Sequence, residues 1–169
     1  NTITYTVTNS NNCSTTRLYS VFNGGNPQVG MANPGGTTGL CTPATLSFPI
    51  NNVSNNPPGT IYIITTNDGS LPDTLQHPPP TNYVHQFFNT SCGNASPGYP
   101  NSFYIRIEAV NPCASSAATV EPITTNELPD ADFSISPDTT ACINTTVTFT
   151  NTSTGGAFIN AQNQCDTTK

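Results

Sequence analysis

The chain carries few residues that could perform acid–base or nucleophilic chemistry. His77 and His85 are its two histidines, beside nine carboxylates. A Ser-His-Asp site needs a histidine held by an acid, but His77 adjoins three prolines and neither histidine has an acidic partner close by in the sequence. Because the members of a triad meet in space, this spacing leaves such a site open. Packed or turn-capping histidines are nevertheless the commoner case.

Other site chemistries also lack their sequence pattern. A glycosidase needs two carboxylates in different environments, whereas the acids here lie mostly in predicted turns and linkers. Phosphate binding requires a glycine-rich loop with a lysine, and zinc requires closely spaced Cys or His ligands. The sequence contains neither pattern. We therefore predict that the chain is not an enzyme and holds no cofactor, apart from the calcium considered below.

Composition excludes further classes of function. Lys and Arg total 3 and the net charge is −6, so the chain lacks the cations that neutralise nucleic-acid phosphates or anionic lipids. No apolar run approaches the ~18 residues of a membrane span. Threonine, asparagine and serine number 29, 22 and 14, together 65 of 169 residues, and this neutral polar surface indicates an exported chain. Six cysteines without a Cys-x-x-Cys pair fit isolated disulfides in an oxidising compartment.

The elements that must position these residues are strands. With 16 Pro and 12 Gly, long helices are disfavoured. Short alternating segments bounded by turn residues predict strands, here at 28–32, 45–50, 60–65, 82–90, 102–110 and 117–123. On the strand 82–90, Tyr83, His85 and Phe87 share one face, and Val84 and Phe88 share the other.

Two stretches of the sequence repeat at an offset near 100 residues. Residues 3–13 and 103–113 share alternating apolar positions and each end in cysteine; residues 41–48 and 142–149 each begin with cysteine and end with phenylalanine. The alternative is chance similarity between Thr-rich strands. A period near 100 is the size of a β-sandwich domain. We therefore predict the last strands of one domain at 1–26, a complete domain at 27–126 and the first strands of another at 127–169.

Several motifs in a fixed order resemble a known family. They are Asn67–Ser70 (Asn-Asp-Gly-Ser), His77–Pro80 followed by His85-x-Phe87, and a closing strand that ends in Asn-Pro-Cys at 111–113. The stretch 131–137, with residues 142–153 after it, resembles the opening of a further copy. The chain thus resembles the PKD-type (polycystic-kidney-disease-type) immunoglobulin-like domains of large Bacteroidota surface proteins.

One departure from that family concerns the core. The usual Trp-x-Phe-Gly-Asp-Gly motif is absent and the chain contains no tryptophan. We therefore expect Ile61, Tyr62 and Ile63 to fill the space that the tryptophan would occupy.

The resemblance implies an all-β fold of immunoglobulin-like (PKD-type) antiparallel β-sandwich repeats in tandem. It also implies a non-catalytic segment of a large extracellular adhesin or filament at the cell surface. Such a segment would be exported by type IX secretion and would serve attachment or gliding motility as a semi-rigid stalk. Expected partners are neighbouring repeats of the same chain, surface polysaccharide and other cell-surface or secretion proteins.

The alternative function is a spacer or carbohydrate-binding module of a secreted hydrolase. A sugar-binding face displays exposed aromatic rings for stacking. The six Tyr and eight Phe fall mostly at alternating, core-type positions, which favours the adhesin.

The implied topology predicts one disulfide. In an immunoglobulin-like sandwich, the turn that enters the second strand lies at the same pole as the turn that leaves the fifth. Cys41 occupies the former turn and Cys92 the latter, so we expect these two residues to pair. The partners of Cys142 and Cys165 are expected beyond residue 169. The alternative is a free buried thiol at either position of the pair.

The linker after the complete domain is expected to set the geometry of the array. Leu128, apolar within a polar stretch, is predicted to plug the gap between domains, and Pro129 fixes one φ angle, so that successive domains stack as a rod. Calcium binds six to eight oxygens, and the carboxylates predicted near this pole are Asp68, Glu127, Asp130 and Asp132. The alternative is a solvated acidic linker.

Three threonines are predicted to carry O-linked glycans. Thr74, Thr139 and Thr167 each follow an aspartate and match the short Asp-Ser/Thr-apolar-or-Thr acceptor pattern of Bacteroidota O-glycosylation. The alternative is ordinary turn chemistry, in which the aspartate bonds nearby backbone N–H groups. We expect mass spectrometry of the native protein to find glycan mass on peptides containing these threonines. Unmodified peptides at all three positions would contradict the prediction.

Overall fold

Alternating side chains and frequent Gly, Pro and Asn turns favour strands throughout the chain. The structure, a computed structural model, describes residues 2–21, 24–137, 140 and 142–167. Within those ranges all of the regular secondary structure is β-strand, which confirms the predicted all-β fold. The same ranges contain no helix long and apolar enough to cross a membrane.

Seventeen strands are present in the described residues. The first nine are β1 (Thr2–Thr8), β2 (Ser14–Ser20), β3 (Gly30–Met31), β4 (Leu40–Cys41), β5 (Ala44–Asn51), β6 (Ile61–Thr66), β7 (Asp73–Gln76), β8 (Asn82–Phe87) and β9 (Ala95–Ser96). The other eight are β10 (Tyr99–Pro100), β11 (Phe103–Asn111), β12 (Ala114–Ile123), β13 (Thr125–Asn126), β14 (Phe133–Ser136), β15 (Thr148–Asn151), β16 (Phe158–Ile159) and β17 (Cys165–Asp166).

Two antiparallel sheets form the centre of the molecule. One has the strand order β12-β11-β6-β7 and the other has the order β3-β5-β8. β11 is an interior strand, and its Ile107 pairs with Ile64 of β6 on one side and with Ala118 of β12 on the other. We call residues 27–126, which contain both sheets, the central unit.

The two sheets enclose one apolar core. β11 alternates strictly and buries Phe103, Ile105, Ile107 and Ala109, because successive side chains of a strand point to opposite faces. From the opposite sheet, Phe87 stacks on Phe103 with ring centroids 5.4 Å apart. The other buried apolar residues are Val29, Met31, Ala44, Phe48, Ile50, Tyr62, Ile64, Val120 and Ile123.

Strand β6 contributes two large buried side chains to this core, and both lie on one face of the strand. The side chains of Tyr62 and Ile64 are 0% and 2% exposed. Ile61 and Ile63 point to the other side of the sheet and are partly exposed. The expectation that Ile61, Tyr62 and Ile63 fill one space is therefore wrong for the two isoleucines, because adjacent residues of a strand cannot share a face.

Two hairpins lie outside this core and expose apolar side chains. β1 and β2 form a two-stranded sheet, in which Ile3 and Tyr5 are 56% and 62% exposed. β14 and β15 form another, in which Phe133 and Phe149 are 58% and 65% exposed. A lone two-stranded hairpin is marginally stable in water, so each of these hairpins lacks the cover that the central unit gives its own strands.

The two phenylalanines at the repeated position, Phe48 and Phe149, should respond oppositely to truncation. Phe48→Ala should lower the free energy of unfolding by about 3–5 kcal/mol, because it leaves a cavity in the core. Phe149→Ala, at an exposed position of β15, should change it by less than about 0.5 kcal/mol. Urea unfolding followed by circular dichroism measures both, and equal effects would contradict the assignment of the core.

Candidate functional site

Backbone pairing, side-chain hydrogen bonds and a disulfide meet at the pole where the central unit ends. β13 runs parallel to β4, with Thr125 beside Leu40 and Asn126 beside Cys41. On its other side the Ser91 N–H donates to the Thr125 carbonyl at 3.0 Å. The Thr125 side chain is fully buried between them. Strand β13 is therefore a wedge between the β4 turn and the loop that follows β8.

The expected Cys41–Cys92 disulfide is wrong. Cys92 pairs instead with Cys165, with Cα atoms 5.4 Å apart and a sequence separation of 73. Cys41 is an exposed free thiol. The two expected partners do lie at one pole, but β13 separates them. The expectation that the partner of Cys165 lies beyond residue 169 is also wrong, because Cys165 pairs with Cys92.

Residues 157–165 are held against this pole by more than the disulfide. The Ile159 N–H donates to the Asn126 side-chain oxygen at 2.9 Å, and the Asn101 amide donates to the Asn163 carbonyl at 2.7 Å. Glu127 makes two bonds to Ala157: its N–H donates to the Ala157 carbonyl at 2.7 Å, and its carboxylate accepts the Ala157 N–H at 3.0 Å. The segment that follows the central unit therefore folds back and docks on it.

The linker itself stays on the surface. Leu128 is 53% exposed and Pro129 is exposed, so the expected plug at Leu128 is wrong. The chain is fixed instead by backbone pairing, because Asp130 and Thr154 exchange two N–H···O bonds of 3.0 and 2.8 Å. Gly156 makes this approach close: with φ of +69°, a Cβ there would lie 2.9 Å from the Glu127 carbonyl oxygen.

The four carboxylates considered for calcium do not assemble. Among the described residues, no three His, Cys, Asp or Glu side chains form a group that could hold a metal ion. Asp68 bonds to residues of the sheets of the central unit, whereas the Glu127 carboxylate is occupied by the Ala157 N–H. A cavity of about 390 Å³ lies beside Glu127, lined otherwise by residues 154–157 and Thr167, and the side chains that line it bring only one carboxylate.

Asp68 has a partner that sequence spacing did not reveal. Its carboxylate lies 2.7 Å from Nε2 of His85 and also accepts hydrogen bonds from the Thr66 hydroxyl and the Ser70 N–H. Asp68 follows β6 of one sheet and His85 lies on β8 of the other. We call this pair the inter-sheet clasp. Its signal in the sequence was an inward-facing histidine on a strand, since a buried polar group needs a partner.

Hydrogen bonding favours the ionised form of Asp68. Burial alone would raise the pKa of Asp68, but the hydrogen bonds from His85, Thr66 and Ser70 outweigh it and hold the pKa below its ordinary value of 3.8. Nearby, burial and the neighbouring Asp73 carboxylate raise the pKa of Tyr83 above its ordinary value. Because Asp68 follows a strand of one sheet and His85 lies on a strand of the other, their contact connects the two sheets.

His77 is held at the edge of the core by a second polar chain. The Asn56 amide donates to the Tyr62 hydroxyl at 2.8 Å, and that hydroxyl lies 2.9 Å from Nδ1 of His77. Asn56 also exchanges bonds of 2.8 and 2.6 Å with the backbone of Gln28. Each histidine therefore satisfies a buried polar group, as expected for packed histidines.

Two of the three glycan candidates lie in described residues, and both are exposed. Thr74 lies on the edge strand β7, where its N–H donates to the Asp73 carboxylate at 2.8 Å. Thr167 follows β17. Thr139 lies outside the described residues. The two exposed threonines remain sterically accessible for modification, and their glycosylation stays a prediction.

Comparison with known proteins adds no family assignment. No protein-family model, curated protein or solved structure matches the chain.

The inter-sheet clasp predicts a pH-dependent stability. Because the pKa of Asp68 is lowered by folding, its contribution is present above the ordinary value of 3.8 and is lost as pH falls through the folded-state pKa. Asp68→Asn should therefore lower the free energy of unfolding by about 1–3 kcal/mol at pH 7, and the loss should disappear in strong acid. Asp132→Asn, at an exposed carboxylate, is the matched control. Urea titrations across pH measure both, and a constant loss at every pH would contradict this role.

If the Cys92–Cys165 disulfide holds residues 157–166 against the central unit, breaking it should free this segment while the central unit stays folded. Cys165→Ser should raise the rate of proteolytic cleavage within this segment several-fold, because the closed loop no longer restrains it. Cys41→Ser, which alters an exposed free thiol, should leave the cleavage rate unchanged. Pulse digestion with thermolysin and mass spectrometry reads out the sites. Equal cleavage of both variants would show that the disulfide does not hold the segment.

Proposed function

We propose that this chain is a non-catalytic structural segment of a large secreted adhesin or filament, in which immunoglobulin-like units repeat in tandem and form a semi-rigid stalk. The strand order supports the fold. In chain order β3, β5 and β8 take the places of strands A, B and E, while β6, β7, β11 and β12 take those of C, C′, F and G. This is a known arrangement of immunoglobulin-like sandwiches.

The observation that carries the proposal is a repeated pairing of equivalent segments. In the central unit Met31 pairs with Ile50. Moved back by 101 residues, the pair Phe133–Asn151 of the last hairpin falls on positions 32 and 50. The same two segments therefore form an antiparallel ladder, in a register that differs by one residue. This repeated pairing supports the view that β14 and β15 are the opening strands of a further unit.

The hairpin at the other end supports the same interpretation. β1 and β2 resemble β11 and β12, and in each hairpin a cysteine directly precedes the return strand. The Cys13 N–H donates to the Asn9 side-chain oxygen at 3.0 Å, and the Cys113 N–H donates to that of Asn111 at 2.9 Å. The two turns differ in length, since the last paired residues are Thr8 and Ser14 in one hairpin and Asn111 and Ala114 in the other. The features they share, a cysteine before the return strand and an asparagine side chain that accepts its N–H, support a relation between the two hairpins.

Stiffness and location are supported by the junction. The disulfide and the hydrogen bonds at residues 157–165 restrict movement of the following segment on the central unit. A disulfide also fits an extracellular location, because disulfides persist in oxidising compartments. Both properties suit a stalk that projects from a cell and bears load.

Two in-frame deletions in the producing organism would test this function. Removing residues 27–126 deletes one whole unit, so the flanking strands can rejoin as a continuous array. We expect surface display and attachment to persist. Removing residues 27–76 takes half a unit and leaves broken sheets, and we expect display to be lost. Loss of attachment with normal display after the whole-unit deletion would instead indicate a binding function in this unit, as in the alternative of a carbohydrate-binding module.

A further inference from the structure

Strand β8 is an edge strand that is open to further pairing. The two main sheets have four edge strands, β3, β7, β8 and β12, and proteins protect such edges by short length, charge, proline or bulges. β3 has two residues, β7 has four and carries Asp73, and β12 carries Glu121 and Pro122. In contrast, the six residues of β8 include neither a proline nor a Lys, Arg, Asp or Glu.

This open edge belongs to the complete unit and does not depend on where the sequence begins or ends. β8 lies inside residues 27–126, all of which the structure describes, and the chain passes from β7 to β8 without a strand between them. The segments before and after the central unit join it at its poles, through Asn111 and through β13. An edge strand forms a side of the sandwich instead, so those segments leave it uncovered.

The backbone of β8 presents alternate N–H and C=O groups at this edge. The Ile50 N–H donates to the Thr81 carbonyl at 2.8 Å. Hydrogen-bonded pairs recur at every second residue of an antiparallel ladder, so the odd-numbered residues of β8 bond to β5. Val84 and Gln86 therefore direct their N–H and C=O groups away from β5, and Phe88, directly after the strand, continues the series.

The side chains along this edge also permit another strand. Val84 and Phe88 are 61% and 69% exposed, and Gln86 between them is exposed and uncharged. His85 faces inward and bonds to Asp68 of the same unit. An added strand would therefore leave no partner of the inter-sheet clasp unpaired, which would otherwise cost free energy.

A second copy of β8 is complementary to this edge. In the antiparallel register centred on Gln86, Val84 lies opposite Phe88 of the second copy, and Gln86 lies opposite its own counterpart. All of these are outward-directed positions, so the free N–H and C=O groups of the two strands meet. Apolar cross-strand pairs are favourable, and facing glutamine amides can donate to and accept from each other. The edge is thus self-complementary, with no like charges opposed.

We propose that β8 of one copy of this chain pairs with β8 of a second copy about a two-fold axis at Gln86, so that the two three-stranded sheets join into one sheet of six strands. The contact is isologous and closes as a dimer. Each cross-strand pair contributes only about 0.2–1 kcal/mol, so the contact between single units is weak. In a tandem array it would recur at every unit and, through multivalency, hold stalks side by side. This lateral association rests on the proposed function, whereas the pairing of two copies does not.

Hydrogen exchange resolved by NMR tests the pairing in the unaltered chain, with free thiols blocked by iodoacetamide. The Val84 and Gln86 N–H groups should exchange several-fold more slowly as the concentration rises to about 1 mM, the order of the effective concentration between tethered sites. The Tyr83 and His85 N–H groups already bond to β5, so their exchange should not follow concentration. Constant exchange of Val84 and Gln86 over this range would overturn the proposal.

Charge at the two-fold axis gives the most specific result. Gln86→Lys and Gln86→Glu each set like charges opposite one another, so in either variant alone the exchange of Val84 should no longer depend on concentration. An equimolar mixture should restore the dependence, because opposite charges then meet. Thr119→Lys and Thr119→Glu, at an exposed position of the edge strand β12, are matched controls and should behave like the unaltered chain.

Two results would overturn the proposal. One is a concentration dependence at Val84 that both Gln86 variants retain, and the other is a mixture that fails to restore it. Neither result bears on the whole-unit deletion, so failure of this contact is distinguishable from failure of the proposed function.

Discussion

Phe87 and Phe103 stack between two sheets, and the apolar contacts around them hold the central unit together. Only 7% of the residues are charged, so ion pairs can contribute little, and the strict alternation of β11 supplies one wall of the core. Burial between facing sheets is the main favourable term in such a fold. The outlying hairpins, β1–β2 and β14–β15, repeat the same alternation without a facing sheet, and their exposed apolar side chains follow directly from that lack.

Polar contacts determine how the sheets are joined around this core. Asp68 and His85 connect the sheets across the open side next to β7, and Tyr62 links its buried ring to Asn56 and His77. Buried polar groups cost free energy unless they are hydrogen-bonded. In both networks the named polar groups have hydrogen-bond partners, so that cost is offset. At the end of the unit, the wedge formed by β13 performs a similar role with backbone bonds. Because β13 lies between Cys41 and Cys92, it also keeps these two cysteines apart, and Cys92 pairs with Cys165.

The sequence was sufficient to predict the longer strands of the central unit but not the contacts between distant residues. Period-two patterns located the central residues of β5, β6, β8, β11 and β12. A strand that buries one face alternates apolar and polar residues, and this alternation is visible in neighbouring sequence positions. The short strand β7 was missed, since its alternation covers only Asp73–Gln76. The Cys92–Cys165 disulfide and the Asp68–His85 clasp join residues far apart in sequence, and only the path of β13 and the crossing from one sheet to the other bring them together. No local pattern encodes those distances.

The central claim is that residues 27–126 form one complete unit, flanked by strands that belong to incomplete ones. Hydrogen–deuterium exchange of the full chain, at a concentration at which it is monomeric, tests this directly. We expect the N–H groups of β5, β6 and β11 to exchange slowly, at a rate set by global unfolding. Those of β1, β2, β14 and β15 should exchange much faster, because local opening there breaks no core. Protection of β1 and β2 equal to that of β11 would contradict this claim.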